Sequence, residues 1–179
     1  MELDEKTLVA QAQAGDRKAF DALVRENKDK MFALLYKMTA DRETALDLLQ
    51  ETFLTAYKRL ADFRGEAGFS SWLYRIATNK ALNHIRRGKI VSFLSFGRVP
   101  QAEPAYVMKD RLENTQLQKA LAKAQAELPP KQKMVFHLRF HEELPFAEIA
   151  TILGKSESTV KTNYQRAVEK LRDRLREFK

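Results

Sequence analysis

Six polar side chains between residues 158 and 166 have the types and spacing needed to read the edges of base pairs. They are Ser158, Thr159, Lys161, Thr162, Gln165 and Arg166. At helical spacing they share the outward face near the start of one helix. Cations contact phosphates or guanine edges, and a Gln amide bonds adenine. The pattern predicts contact with a DNA major groove, and the alternative is a solvated helix face that touches no DNA.

A second set of side chains combines amides, cations and aromatic rings. Its members are Phe63, Arg64, Phe69, Trp72, Arg75, Asn79, Lys80, Asn83 and Arg86. Amides read base edges, cations hold phosphates, and aromatic rings stack on bases that have left a duplex. This set is suited to follow a separated DNA strand. For Phe69, Trp72 and Tyr74 taken singly, packing in a core is the stronger expectation.

Acidic side chains are concentrated elsewhere. The stretch Asp41–Glu51 is acidic, whereas Arg75–Lys89 and Lys155–Lys179 are mainly basic. Faces of opposite charge indicate separate partners. Asp47, Gln50 and Glu51 are the candidate contacts to a partner other than DNA, and a plain solvated face is the alternative.

The sequence offers little support for an enzyme. His137 and His141 are four residues apart, the spacing of some metal-binding histidine pairs, but no HExxH or Glu-x-x-His pattern and no cysteine accompanies them. No glycine-rich phosphate loop or nucleophile pattern lies near the acidic residues. We therefore expect two surface histidines and predict no catalytic residue, no metal site and no cofactor.

The elements that carry the first two sets are helices. Met31, Leu34, Leu35 and Met38 recur at the spacing of one helix face, and similar spacing continues after Asp41, a good N-cap. Glycines in FRGEAGFSS break the pattern. Ser70 or Ser71 is then expected to cap a helix running from Trp72 to about Arg87.

The last fifty residues contain a helix-turn-helix signature. Phe146, Ile149, Ala150 and Leu153 form the apolar face of a short helix, which Gly154 can end in the left-handed conformation. Ser156 caps a longer helix with the inner face Val160, Tyr164, Ala167, Val168, Leu171 and Leu175. Pro130 fits the first turn of the helix that precedes them. A short helix, a turn and a longer helix are typical of DNA-binding proteins.

Composition is compatible with this interpretation. The 179 residues include 44% hydrophobic residues, carry a net charge of +8 and contain no cysteine. No stretch alternates with period two for long enough to indicate a sheet, so we predict an all-α fold. Two small helical domains are expected at 1–87 and 112–179, joined by a Gly- and Pro-containing linker at 88–111. Without a long apolar run or a signal-like N-terminus, a cytoplasmic protein is expected.

Two long strings resemble regions of bacterial RNA polymerase sigma factors. The string DRETALDLLQETFLTAYKRLADFRGEAGFSSWLYRIATNKALNHIRR resembles sigma region 2, and LPPKQKMVFHLRFHEELPFAEIATILGKSESTVKTNYQRAVEKLR resembles sigma region 4. With no domain between them, the chain is similar to the extracytoplasmic-function (group IV) type of the sigma-70 family. The resemblance implies two partners, core RNA polymerase and promoter DNA, together with an anti-sigma factor.

The same resemblance assigns roles to the candidate residues. It implies recognition of the −10 element and its melted non-template strand by the loop and helix at 63–86, and of the −35 element by the face at 158–166. It also places Asp47, Gln50 and Glu51 against the coiled coil of the largest polymerase subunit. The alternative is a free-standing, dimeric helix-turn-helix regulator, which would explain residues 129–179 but not the amide-rich helix of the first domain.

Overall fold

The computed structural model describes residues 4–94 and 116–176, and in these ranges every regular element is a helix. The prediction of an all-α fold is confirmed. The helices are α1 (Glu5–Gln13), α2 (Arg17–Thr39), α3 (Arg42–Arg59), a 3₁₀ turn (Leu60–Asp62), α4 (Phe69–Leu94), α5 (Gln116–Ala126), α6 (Pro130–Phe140), α7 (Phe146–Leu153) and α8 (Glu157–Arg174).

Aspartates begin the first three helices. The carboxylate of Asp4 accepts a hydrogen bond from the backbone N–H of Thr7, and that of Asp16 accepts one from Lys18. Asp41 does the same for α3, as predicted, at 2.7 Å from the amide nitrogen of Thr44. Each carboxylate satisfies an N–H group that has no partner within its own helix. The starts of α1, α2 and α3 are therefore fixed by local sequence.

Helix α4 has different bounds from those expected. It carries a stripe of amide and cationic side chains: Arg75, Asn79, Lys80, Asn83 and Arg86. It begins at Phe69 rather than Trp72, and it continues past Arg87 to Leu94. The first residues of the expected linker at 88–111 are thus helical, and residues 95–111 lie outside the described ranges.

The second half of the chain is built around α8. Pro130 is the first residue of α6, as predicted. Proline suits this position because it lacks a backbone N–H, and an N–H in the first turn would have no partner within the helix. Gly154 ends α7 with φ +60°, and the Ser156 side chain accepts from the Thr159 amide at the start of α8. Both of these sequence predictions are confirmed. Helix α5 packs on α8 through a small cluster of buried side chains: Ala124, Leu128, Phe136, Ala167 and Leu171.

The two halves pack against each other. Helix α7 lies on α4, and α6 contacts both α2 and α4. Apolar side chains of the two halves form one continuous buried cluster in which Leu73 and Ala77 of α4 are joined by Met134, Leu138 and Ile149. The first turns of α4 are therefore packed both against helices of the first half and against α6 and α7 of the second half.

No helix in the described part of the chain is both long and apolar enough to cross a membrane.

Candidate nucleic-acid interface

The predicted outward face of α8 lies in solvent. All six of its candidate side chains are exposed: Ser158, Thr159, Lys161, Thr162, Gln165 and Arg166. On the opposite side of the helix, Val160 and Ala167 are buried at 1% and 0% exposure. One face of α8 therefore holds the helix in the domain, and the other is free to enter a groove.

The turn before α7 is held by a residue that the sequence analysis missed. Nη1 of Arg139 donates to the backbone carbonyls of Glu143 and Leu144, and the guanidinium lies 5.2 Å from the centre of the Phe146 ring. Lys161 approaches the same ring at 5.9 Å and pairs with Glu157 at 2.6 Å. These contacts set the position of α7 relative to the start of α8. A basic residue four and five positions before the loop carbonyls it binds gives no distinctive sequence signal.

The stripe on α4 is also exposed. Arg75, Asn79, Asn83 and Arg86 lie in solvent, while Lys80 is partly covered. Most of the stripe lines a groove of about 450 Å³ between α3 and α4, whose α3 side is formed by Thr55 and Arg59. The sequence analysis did not select Thr55 and Arg59. Their spacing of four residues and the positive charge of Arg59 are the features by which they could have been identified. Cationic and amide side chains therefore line the same groove.

The aromatic residues at the start of α4 form a small stack. The Phe63 and Trp72 rings are 5.1 Å apart, and Phe69 lies edge-on to Phe63 at 5.9 Å. Phe69 is only 1% exposed, and Tyr74 3%, so the core-packing expectation is confirmed for both. Trp72 and Phe63 are half-buried and line a second groove together with Arg64 and Arg75. Phe63 and Trp72 are thus the rings available at this surface.

The N-terminus of α4 is capped from a distant part of the chain, and the expected Ser70 or Ser71 cap is wrong. The Glu5 carboxylate of α1 accepts from the Phe69 amide at 2.8 Å. The Ser70 hydroxyl donates instead to the Asn27 side chain at 2.7 Å, and Ser71 donates to Glu148 of α7. A helix N-terminus favours a nearby carboxylate through its exposed N–H groups. The start of α4 is therefore positioned by α1, α2 and α7 together.

Helix α3 presents the acidic candidates. Asp47, Gln50 and Glu51 are all exposed. Gln50 borders an open, apolar groove of about 550 Å³ between α2 and α3, where Leu54 is 51% exposed. The surface combines negative charge with uncovered apolar area, a combination that fits a protein partner better than DNA.

The prediction of two surface histidines is wrong for His137. It is 4% exposed, because α6 is enclosed between α8 and the helices α2 and α4. His141 is exposed, as expected. Its ring nevertheless lies beside the rings of Phe136, His137 and Phe140, and this partial loss of contact with water, together with the nearby His137 and Lys37, lowers the pKa of His141 to about 4. The ring is therefore neutral at neutral pH. Within residues 4–94 and 116–176, no group of three or more His, Cys, Asp or Glu side chains is placed to hold a metal ion.

Comparison with protein families gives two matches that coincide with the two halves of the structure. Residues 23–90 match sigma-70 region 2, and residues 118–171 match sigma-70 region 4. The fold and these matches define the class of protein: a sigma-70-type factor, the subunit that directs RNA polymerase to promoters.

Curated relatives define the family more narrowly. The chain is 33% identical to the ECF RNA polymerase sigma factor SigW of Bacillus subtilis, covering 99% of this chain and 100% of the relative. It is 32% identical to the RNA polymerase sigma-H factor of Pseudomonas aeruginosa, covering 92% and 90%. The chain belongs to the ECF sigma factors of the sigma-70 family. The sequence prediction of this family is confirmed, and the free-standing dimeric regulator is not favoured.

Solved structures show the same fold. The Bartonella quintana sigma factor RpoE, solved with the anti-sigma factor NepR, has a TM-score of 0.75 at 21% identity and covers 89% of this chain and 98% of its own. CnrH, solved with the cytosolic domain of CnrY, has a TM-score of 0.70 at 24% identity and covers 96% of both chains.

Proposed function

We propose that this sigma factor divides promoter recognition between two helices, α8 for the −35 duplex and α4 with its preceding loop for the melted −10 strand. The observation that carries the proposal is that both faces are exposed, rich in amides or cations, and backed by buried apolar residues. Each helix can therefore present its polar face to DNA without loss of packing.

The α8 face suits a duplex. Its contacts lie near the N-terminus of the helix, the end that enters a major groove in helix-turn-helix proteins. Gln165 and Arg166 supply base-edge chemistry, and Ser158, Thr159 and Thr162 supply short hydroxyl contacts. Lys161 must leave Glu157 to reach a phosphate, which costs little because both side chains are about half exposed.

The α4 face suits a single strand. Asn79 and Asn83 provide donors and acceptors for unpaired bases, while Arg75, Lys80 and Arg86 provide phosphate contacts. Phe63 and Trp72 offer ring surface beside Arg64 for a base that has left the stack. The buried ring of Phe69 supports those two rings and holds them in position.

The acidic face of α3 is the proposed docking surface for core RNA polymerase. Asp47 and Glu51 supply charge that steers and orients the encounter, and Gln50 leads into the apolar groove that supplies buried area. The family resemblance names the coiled coil of the largest subunit as the partner.

An anti-sigma factor is the remaining proposed partner. One structural neighbour, the sigma factor RpoE, was solved with the anti-sigma factor NepR, and another, CnrH, was solved with the cytosolic domain of CnrY. An inhibitor that covers the α3 face would prevent docking on the polymerase.

Transcription in vitro tests the function directly. With core polymerase and a promoter library, the protein should select a defined pair of elements, and omission of the protein should abolish the selection. The protein alone should bind DNA weakly and with strong salt dependence, since its cations are divided between two small surfaces. Tight, sequence-specific binding of duplex DNA without polymerase would instead support an operator-binding regulator.

A further inference from the structure

Helix α1 contacts the loop that precedes α4 at both ends of that loop. The side-chain amide of Gln13 donates to the backbone carbonyls of Leu60 and Phe63, each at 2.9 Å. Two turns earlier on the same helix, the Glu5 carboxylate accepts from the Phe69 amide at 2.8 Å. We call Gln13 and Glu5 the brace residues.

The loop between these two contacts has little else to hold it. Most of its side chains and glycines lie in solvent: Arg64, Gly65, Glu66 and Gly68. From Arg64 to Ala67, no backbone amide donates to another backbone group in the described part of the chain. An exposed segment without internal hydrogen bonds keeps its conformational freedom unless its ends are fixed. The position of this loop therefore depends on the contacts at its ends.

The brace residues lie on a helix that is itself packed in the core. Three side chains between them are buried, and α1 packs along α2: Leu8, Val9 and Ala12. Beside the Glu5 contact, the Ser70 hydroxyl donates to the Asn27 side chain of α2 at 2.7 Å, and the buried Asn27 amide donates to the Leu23 carbonyl at 2.8 Å. Glu5 and Gln13 are about 12 Å apart along the helix at about 1.5 Å per residue. Helix α1 thus sets a fixed separation between the two ends of the loop.

Fixed loop ends determine where the two available aromatic rings lie. Phe63 is the first residue after the 3₁₀ turn, and its own carbonyl is one of the two that Gln13 binds. Trp72 lies in the first turn of α4, which Glu5 caps. The two rings are 5.1 Å apart and line one groove with Arg64. Rings that are already in place lose little freedom when a base enters, whereas rings on a free loop must be ordered at that moment.

We propose that Gln13 and Glu5 are positioning residues for capture of the −10 strand, and that they hold Phe63 and Trp72 at a fixed separation before the strand arrives. The inference rests on the proposed role of α4 and its preceding loop. Each brace residue acts through the loop backbone rather than by touching DNA. Gln13 is exposed, so water can replace its amide at the two carbonyls and the fold loses little stability without it. Loss of Gln13 should therefore affect strand capture much more than unfolding.

Strand binding by the holoenzyme provides the functional measurement. Gln13→Met keeps the length of the side chain and removes both donated bonds, and Glu5→Met removes the cap. With a single-stranded −10 oligonucleotide from a promoter selected in the transcription assay, both variants should bind about tenfold more weakly than wild type. Glu5→Gln keeps an oxygen that can accept from the Phe69 amide and should retain most of the affinity. Gln11→Met makes the same replacement elsewhere on α1 and is the matched control.

Oligonucleotides with one abasic nucleotide at a time show whether the lost affinity belongs to a captured base. One abasic position should weaken binding by wild type the most. That penalty should shrink in Gln13→Met and Glu5→Met, because their rings no longer receive the base in a fixed position. Circular dichroism and thermal unfolding check that each variant is folded, and Gln13→Met decides the outcome if Glu5→Met does not fold.

Trp72 reports the position of the rings without DNA, because it is the only tryptophan of the chain. Acrylamide quenching of its fluorescence should increase in Gln13→Met and remain at the wild-type level in Gln11→Met. Wild-type affinity with unchanged abasic penalties in folded Gln13→Met would overturn the positioning role, as would an equal loss of affinity in Gln11→Met. If the wild-type holoenzyme selects no promoter, the proposed function fails, and the quenching of Trp72 alone decides whether the brace residues position the rings.

Discussion

The Nζ atom of Lys80 lies 3.0 Å from a carboxylate oxygen of Glu51. This ion pair connects the proposed strand-binding face of α4 to the proposed docking face of α3. The Lys80 side chain is 23% exposed and that of Glu51 is 60% exposed, so the pair is open to solvent on one side. Such pairs contribute about 0–1 kcal/mol to stability. The Lys80–Glu51 pair is therefore of interest less for stability than because each partner belongs to a different proposed binding surface.

Substitution on the two sides of this pair should separate the two surfaces. Lys80→Met keeps most of the apolar stem and removes the charge, so it should weaken promoter binding by the holoenzyme and leave core affinity unchanged. Glu51→Gln should weaken core affinity and leave strand binding intact, since it frees Lys80. Chemical denaturation should show changes in the free energy of unfolding below about 1 kcal/mol for both. Equal losses of core affinity in the two variants would contradict separate roles.

Charge reversal at Asp47 should weaken assembly with core polymerase while the fold is retained. The side chain is exposed, so reversal affects encounter and orientation rather than packing. Competition for core polymerase against the wild type measures the effect, which should diminish at high salt. Glu43→Lys, on the same helix and also exposed, is the matched control. An equal loss in both variants would indicate a long-range charge effect rather than a contact at Asp47.

A pre-melted promoter should distinguish the roles of α8 and α4. Ala substitution of Lys161, Gln165 or Arg166 should weaken closed-complex formation, at about 1–3 kcal/mol for a lost base contact. Ala substitution of Asn79 or Asn83 should leave duplex binding nearly normal and impair opening, because their contacts exist only after bases leave the stack.

The measurement is abortive transcription from paired and pre-melted templates with the same upstream element. The bubble should rescue the Asn variants more than the Lys161 and Arg166 variants. Lys170→Ala, exposed farther along α8, controls for loss of a positive charge. If both sets respond alike to the bubble, the division between duplex anchoring and strand capture is wrong.

The Asp41 cap should make the stability of the protein depend on pH at the acidic end. Hydrogen bonds from the side chain and backbone of Thr44 lower the pKa of Asp41. A lowered pKa in the folded state stabilises the fold above the unfolded pKa of about 3.9, and the stabilisation is lost as pH falls through the folded pKa. Wild type should therefore unfold at a higher temperature than Asp41→Asn at pH 7.

The difference in melting temperature between wild type and Asp41→Asn should shrink below about pH 4. Other carboxylates titrate in both proteins, so the comparison isolates Asp41. Asp21→Asn, at an exposed position within α2, serves as the control for loss of a surface charge. A difference that does not change between pH 7 and pH 3 would show that the cap does not depend on charge.

Signals that act over a few residues could be predicted from the sequence. Asp41, Gly154 and Ser156 each act within four residues of the backbone groups they satisfy, and the structure places all three as expected. The exposed face of α8 follows from the same local periodicity, because its buried side is determined by Val160 and its helical neighbours.

Features that depend on tertiary packing could not be predicted. His137 is polar and lies on a helix with basic residues, yet that helix is enclosed by α2, α4 and α8. The start of α4 depends on Glu5, 64 residues earlier, and a carboxylate at that distance leaves no pattern in the sequence. The groove partners Thr55 and Arg59 become relevant only once α3 lies beside α4.

The Glu5 cap has a consequence for the order in which a newly made chain can fold. Glu5 leaves the ribosome long before Phe69, and at about 5–20 residues per second the interval is roughly 3–13 s. Until then the Glu5 carboxylate has no Phe69 amide to accept from, and the first turn of α4, with Trp72, has yet to emerge. Once Phe69 has emerged, the promoter-reading helix can be completed while α7 has yet to be translated. Each molecule thus passes through a stage of synthesis in which that helix is formed and uncovered.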